Sequence, residues 1–83
     1  MNSYLLIDKA KDPFEYSATT QIAARKIATD YLFSTGGRGN AGILYRFKVY
    51  NWREPPVLIL IGEVRASDYV PTPDPPGDVD LIT

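Results

Sequence analysis

Along residues 43–51 the chain alternates: Ile43, Tyr45, Phe47 and Val49 fall on one side, and Arg46, Lys48 and Tyr50 on the other. A period of two is the mark of a half-buried strand. Ser3 to Lys9 reads as an earlier strand, ended by Asp12-Pro13, because proline removes a donor and disfavours helix in the residue before it. Phe14-Glu15-Tyr16 reads as an extension of that strand after a kink. From Ala18 to Phe33 the period changes to that of a helix. Thr20, Ala23, Ala24, Ile27, Ala28, Tyr31 and Leu32 share one side, while Arg25, Lys26, Thr29 and Asp30 share the other. Ser17 is a candidate N-cap, with Thr19 and Thr20 as rivals, and Gly36 supplies a stop. Ile22 and Phe33 fall on the polar side, where they read as local packing against loops, with Phe33 also a candidate anchor for a contact. Trp52 to Pro56 reads as a turn. Residues 57–66 read as a third strand, apolar on both faces through Val57-Leu58-Ile59-Leu60-Ile61, as a central strand would be.

The expected fold is therefore α+β, β-α-β-β, with one helix packed on a three-stranded antiparallel sheet. Placing the most apolar strand in the middle gives the order 2-3-1. Placing the first strand in the middle would instead demand a parallel pair and a right-handed crossover. After Ala66 the residues turn to proline and aspartate. The domain is expected over 1–66, followed by a flexible, acidic, Pro-rich tail over 67–83.

Eighty-three residues make one small domain with a modest core. The absence of Cys removes disulfides, thiolate metal sites and thiol nucleophiles. The absence of His removes the commonest general base and metal ligand. The expectation is a non-enzymatic protein with no cofactor, no metal and no catalytic residue. Asp8, Asp12 and Glu15 read as a solvated edge. No run approaches the roughly 20 apolar residues of a membrane helix, and the N-terminus lacks the basic stretch of a signal peptide, so a soluble, cytoplasmic protein is expected. The net charge of −1 divides unevenly: all nine bases and six of the acids lie in 1–66, and the other four acids lie in the tail.

Gly37 to Gly42 spells G-x-G-x-x-G, but it follows a helix and precedes a strand, the reverse of a dinucleotide site. It reads as a connector with Arg38 at its tip. Arg46, Lys48, Tyr50, Trp52 and Arg53 mix bases and aromatics as single-strand nucleic-acid platforms do, or they form an ordinary solvated face. The strongest signal is a shortage of cover, since one helix shields one face of a sheet. If Tyr45, Phe47, Val49, Leu58, Leu60 and Val64 meet the helix, then Val57, Ile59 and Ile61 point away, beside Tyr50 and Trp52. Such a patch marks an interface unless the tail, through Tyr69, Val70, Leu81 or Ile82, forms a lid. The candidate partner-binding residues are Arg38, Arg46, Lys48, Tyr50, Trp52, Arg53, Ile59 and Ile61. A nucleic-acid-binding regulator and a homodimer with a structural role are the alternatives.

Met1-Asn2-Ser3-Tyr4-Leu5-Leu6-Ile7-Asp8, the helix Thr20 to Ala28, and the strand Gly42-Ile43-Leu44-Tyr45-Arg46 resemble small phage anti-CRISPR proteins, inhibitors of type I systems. The resemblance covers about residues 1–50 and carries over no site residue. It implies a protein of the host bacterial cytoplasm that binds the CRISPR effector complex or its nuclease and blocks target DNA binding or cleavage.

Overall fold

A computed structural model describes residues 1–70 of the chain. Its elements are β1 (Asn2–Asp8), β2 (Pro13–Ala18), α1 (Gln21–Gly36), β3 (Ala41–Lys48) and β4 (Val57–Arg65), with short 3-10 turns at Gly37–Gly39 and Ala66–Asp68. The fold is α+β with one helix, as expected, but the sheet has four strands in the order β2-β1-β3-β4, and every neighbouring pair is antiparallel.

The added strand is Pro13–Ala18, read from sequence as an extension of the first. Lys11, at φ 65°, takes the left-handed conformation in a tight turn closed by its amide to the Asp8 carbonyl. The Asp8 carboxylate accepts from the Ala10 and Asp12 amides. The chain thus reverses, and β2 runs back along β1. This reversal settles the topology. It starts the helix at the N-terminal end of β1, so the helix returns the chain to the far end of that strand. β3 then descends antiparallel to β1 with no parallel crossover. β1 is central and β4 lies at an edge, the opposite of the expected 2-3-1.

Thr20 is the N-cap: its backbone is extended and its hydroxyl accepts from the Ala23 amide at 3.1 Å. Gly37 ends the helix at φ 73°, donating its amide to the Phe33 carbonyl. Asn40 adds a side-chain bond to the Leu32 carbonyl at 3.1 Å. The glycine-rich segment is thus a helix stop and strand start. Gly42 is required where β3 meets β1, since a Cβ there would lie 2.7 Å from the Ile7 carbonyl oxygen.

Between sheet and helix lie Tyr4, Leu6, Ala18, Leu44 and Val64 from the strands, with Ala24, Ala28 and Leu32 from α1 and Ala66 beyond β4. The alanines let the helix sit close to the strands. Phe14 stacks on Tyr31 with centroids 4.0 Å apart, extending the core under β2. Tyr16 donates its hydroxyl to the Ala24 carbonyl at 2.6 Å. Burial, with the Tyr4 phenol adding to it, pushes the Tyr16 phenol up from 10.0 to about 12. The folded state holds that proton while the unfolded chain loses it near pH 10. The Tyr16 contribution is therefore intact below pH 10 and lost as pH rises toward about 12. Melting temperature is expected to fall over this window, and less steeply in Tyr16→Phe; parallel profiles would contradict the assignment.

The faces of β4 are set by an irregularity between Leu44 and Tyr45 of β3, which pair with Gly62 and Leu60. Ile61 is the extra residue, and Gly62, at φ 144°, has the conformation that admits it. Val64 points to the helix, and Ile61 packs at the core's margin. Leu58 and Leu60, opposite Phe47 and Tyr45, point away. Unbroken alternation would have put Val64 and Leu60 on one face. Deleting Ile61 is accordingly expected to regularise the ladder and leave Tyr45 opposite Leu60, at a cost of about 1 kcal/mol from lost packing. A Tyr45–Leu60 cross-strand NOE checks this; its loss would mean that the bulge holds the register.

Candidate functional site: the open sheet face

The face away from α1 is built from the alternate residues of the same strands. β1 contributes Leu5 and Ile7, β3 contributes Ile43, Tyr45 and Phe47, and β4 contributes Leu58 and Leu60. Leu5, flanked by Glu15 on β2 and Tyr45 on β3, is buried by its neighbours. Ile7, Tyr45 and Phe47 are half-buried. Ile43, Leu58 and Leu60 are 36%, 42% and 63% exposed. Polar residues border the apolar area: Ser3, Glu15 and Ser17 on one side, and Glu63 and Arg65, ion-paired at 3.0 Å, on the other. No described helix or strand lies over this face.

The expected open patch therefore exists with its membership inverted. Tyr45, Phe47, Leu58 and Leu60, assigned from sequence to the helix side, form it. Ile59 and Ile61, assigned to the open side, face the helix: Ile59 shares a rung with Arg46 and Tyr4, and Ile61 packs on the core. Arg46 and Lys48 likewise point to the helix side of the sheet, opposite Ile59 and Val57. An aspartate at Ile61 would therefore strike the core's margin rather than an exposed contact. The signal that could have placed these faces is Gly62, an isolated glycine within a strand.

The remaining candidates lie elsewhere. β3 and β4 stay paired two residues beyond the last β1 rung, Tyr4–Arg46, and the turn that joins them is an arm carrying Tyr50, Trp52 and Arg53. Trp52 is 81% exposed, with the Arg53 guanidinium 4.8 Å from its ring centroid, and Lys48 lies 5.5 Å from that of Tyr50. Val49 is exposed on the same arm. Arg38 sits beyond the C-terminal end of α1, 5.4 Å from the Phe33 ring, and joins no cluster with the arm. The candidates thus divide into an arm set, a helix-side set and an isolated arginine.

No family model, curated protein or solved structure matches this chain. The site is accordingly read from its own chemistry. Among the described residues there is no group of three or more acidic side chains placed to hold a metal ion. Nor is any helix among them long and apolar enough to cross a membrane.

Residues 67–70, counted with the tail on composition, pack against α1. Tyr69 stacks on Phe33 with centroids 4.2 Å apart, and Val70 lies by Lys26, Thr29 and Asp30. Two of the four residues considered for a lid thus lie on the helix. Leu81 and Ile82, with the expectation of a flexible tail over 71–83, lie outside the described residues.

Proposed function

We propose that this domain is a non-catalytic protein-binding module that docks a partner on the open face of its sheet. The observation that carries the reading is the continuous row Ile7, Ile43, Tyr45, Leu60, Phe47 and Leu58, covered by no described helix or strand and bordered by polar side chains. Leaving a large aliphatic side chain in water forfeits about 1.5–3 kcal/mol relative to burying it, so an apolar partner surface is the favoured occupant. Tyr45 and Phe47 give the centre of the face the rigid aromatic contacts that dominate protein interfaces. An inhibitor acting by occupation alone needs no more than such a face. The resemblance to anti-CRISPR proteins adds one defined bait, a type I effector complex, for a cytoplasmic inhibitor of this kind.

The cation–aromatic pairs on the arm support a second reading, in which single-stranded nucleic acid stacks on Tyr50 and Trp52. Salt distinguishes the two. Complexes formed by the immobilised domain are expected to survive a rise from about 50 to 200 mM salt with little loss. Binding of a single strand through the two or three cations at the arm would weaken by about tenfold over that range. Salt-sensitive retention of an oligonucleotide, with no salt-resistant protein partner, would replace the first reading with the second.

A further inference from the structure

The sheet has two edges, and they are built differently. β2 is short, opens with Pro13 and carries Glu15 in its middle, all features that discourage another strand from adding. The C-terminal half of β4 is also guarded. The bulge at Ile61–Gly62 interrupts the ladder, Arg25 reaches from α1 to donate to the Glu63 carbonyl at 3.4 Å, and Glu63 pairs with Arg65. Val57–Leu60, the stretch before the bulge, has none of these protections. With Ile61 it makes five consecutive apolar residues without a charge, and Val57–Leu60 pairs with β3 on one side and with no described strand on the other. A long, flat, apolar edge of this sort presents unpaired backbone donors and acceptors that fit another extended strand.

We propose that the strand which pairs with this edge is β4 of a second copy of the chain, antiparallel about a twofold axis at Ile59, so that two four-stranded sheets join into one. An axis normal to the sheet must set residues of like face opposite each other. Centred on Ile59, it puts Leu58 opposite Leu60 of the second copy, Val57 opposite Ile61, and Ile59 opposite itself. All five apolar residues then meet apolar residues. Centred on Leu58, it would put Leu60 opposite Pro56; centred on Leu60, it would put Val57 opposite Glu63. The Ile59 register also ends itself: Pro56, which has no N–H, falls opposite Gly62, where the bulge breaks the ladder. The open faces of the two copies fall on the same side and form one surface. This pairing uses the strand edge and is independent of any partner on the open face.

Five paired residues make an interface below the about 1,200 Å² of stable complexes, so association depends on concentration. Sedimentation over about a hundredfold concentration range is expected to show the 9.3 kDa chain passing to twice its mass. A constant monomer mass would overturn the proposal. Val57→Lys, on the exposed helix-side row of β4, is expected to abolish the dimer, whereas Ile43→Asp, on the open face, leaves it intact. A dimer that survives the first change, or is lost with the second, overturns the edge assignment. The chain has no cysteine, so Ile59→Cys supplies a single thiol at the axis. Opposed antiparallel residues lie about 4.5–5.5 Å apart at Cα, within disulfide range. Mild oxidation is expected to link Ile59→Cys chains into dimers and to leave Val49→Cys chains mostly single; equal linkage of both would overturn the register.

Discussion

A chain carrying Ile43→Asp and Leu60→Asp is expected to fold normally and to lose at least about a hundredfold in affinity for the protein that the open face holds. Both side chains are at least 36% exposed in the free domain. Their carboxylates would stay hydrated there, and changes at such positions usually alter stability by about 0.5 kcal/mol. The carboxylate introduced in place of Ile43 would face Glu63 across the strands, adding a few tenths of a kcal/mol of like-charge repulsion. In a complex the same carboxylates would be covered by apolar surface with no counter-charge. An unpaired charge so placed costs several kcal/mol, and about 2.7 kcal/mol already corresponds to a hundredfold. Melting temperature and a titration with the captured partner measure the two effects separately. An affinity within about threefold of the unaltered chain, with the fold intact, would remove the open face as the site. The Ile43→Asp change alone separates this result from pairing at the β4 edge, since Ile43 belongs to β3.

Leu44→Ala is expected to lower the unfolding free energy by about 2–5 kcal/mol, the usual range for an aliphatic side chain truncated in a packed core. Leu44 has no solvent exposure and sits between Leu6 on β1 and Gly62 on β4, in the same cluster as Leu32 of the helix. Gly62 offers no side chain to move into the vacated volume, and neighbouring backbone at Gly42 already lies against β1. Relaxation is therefore limited, which favours the upper part of the range. Total stabilities of small domains run to about 5–15 kcal/mol, so much of the margin would go. Urea titration measures the change. A loss under about 1 kcal/mol would mean that the core is not organised around β3 as described.

The helix and three of the four strands were legible: Ala23, Ala24, Ala28 and Leu32 mark one helical side, Tyr45 and Phe47 one strand side, and Val57–Ile61 an apolar run of strand length. Thr20 was among the candidate caps. What the pattern concealed lies in short segments and single residues. Phe14-Glu15-Tyr16 has too few residues to declare itself a strand of its own, and the reversal at Lys11 depends on an Asp8 turn that hydrophobicity does not register. Without β2 the helix would be followed by a parallel strand, so one unrecognised hairpin moved β1 from edge to centre. The faces of β4 inverted for a similar reason. A run such as Val57–Ile61 is apolar on both sides and carries no directional information, and the bulge beyond it changes the parity. The shortage of cover was still legible, because it follows from one helix and one sheet whichever residues lie on each face. Exposed Ile59 and Ile61 were not.

The central place of β1 has a consequence for how the chain reaches its final form. β1 and β2 can close as a hairpin as soon as they are synthesised, but the other edge of β1 must wait until all of α1 and then β3 have emerged. During that interval Leu5, Leu6 and Ile7 lie beside an unsatisfied backbone edge on a nascent ribbon. The docking of β3 closes the longest loop between paired strands among the described residues, and such closures govern folding speed in topologies of this kind. Commitment to the native state is thus deferred until β3 has been made, whatever β1 and β2 have already arranged.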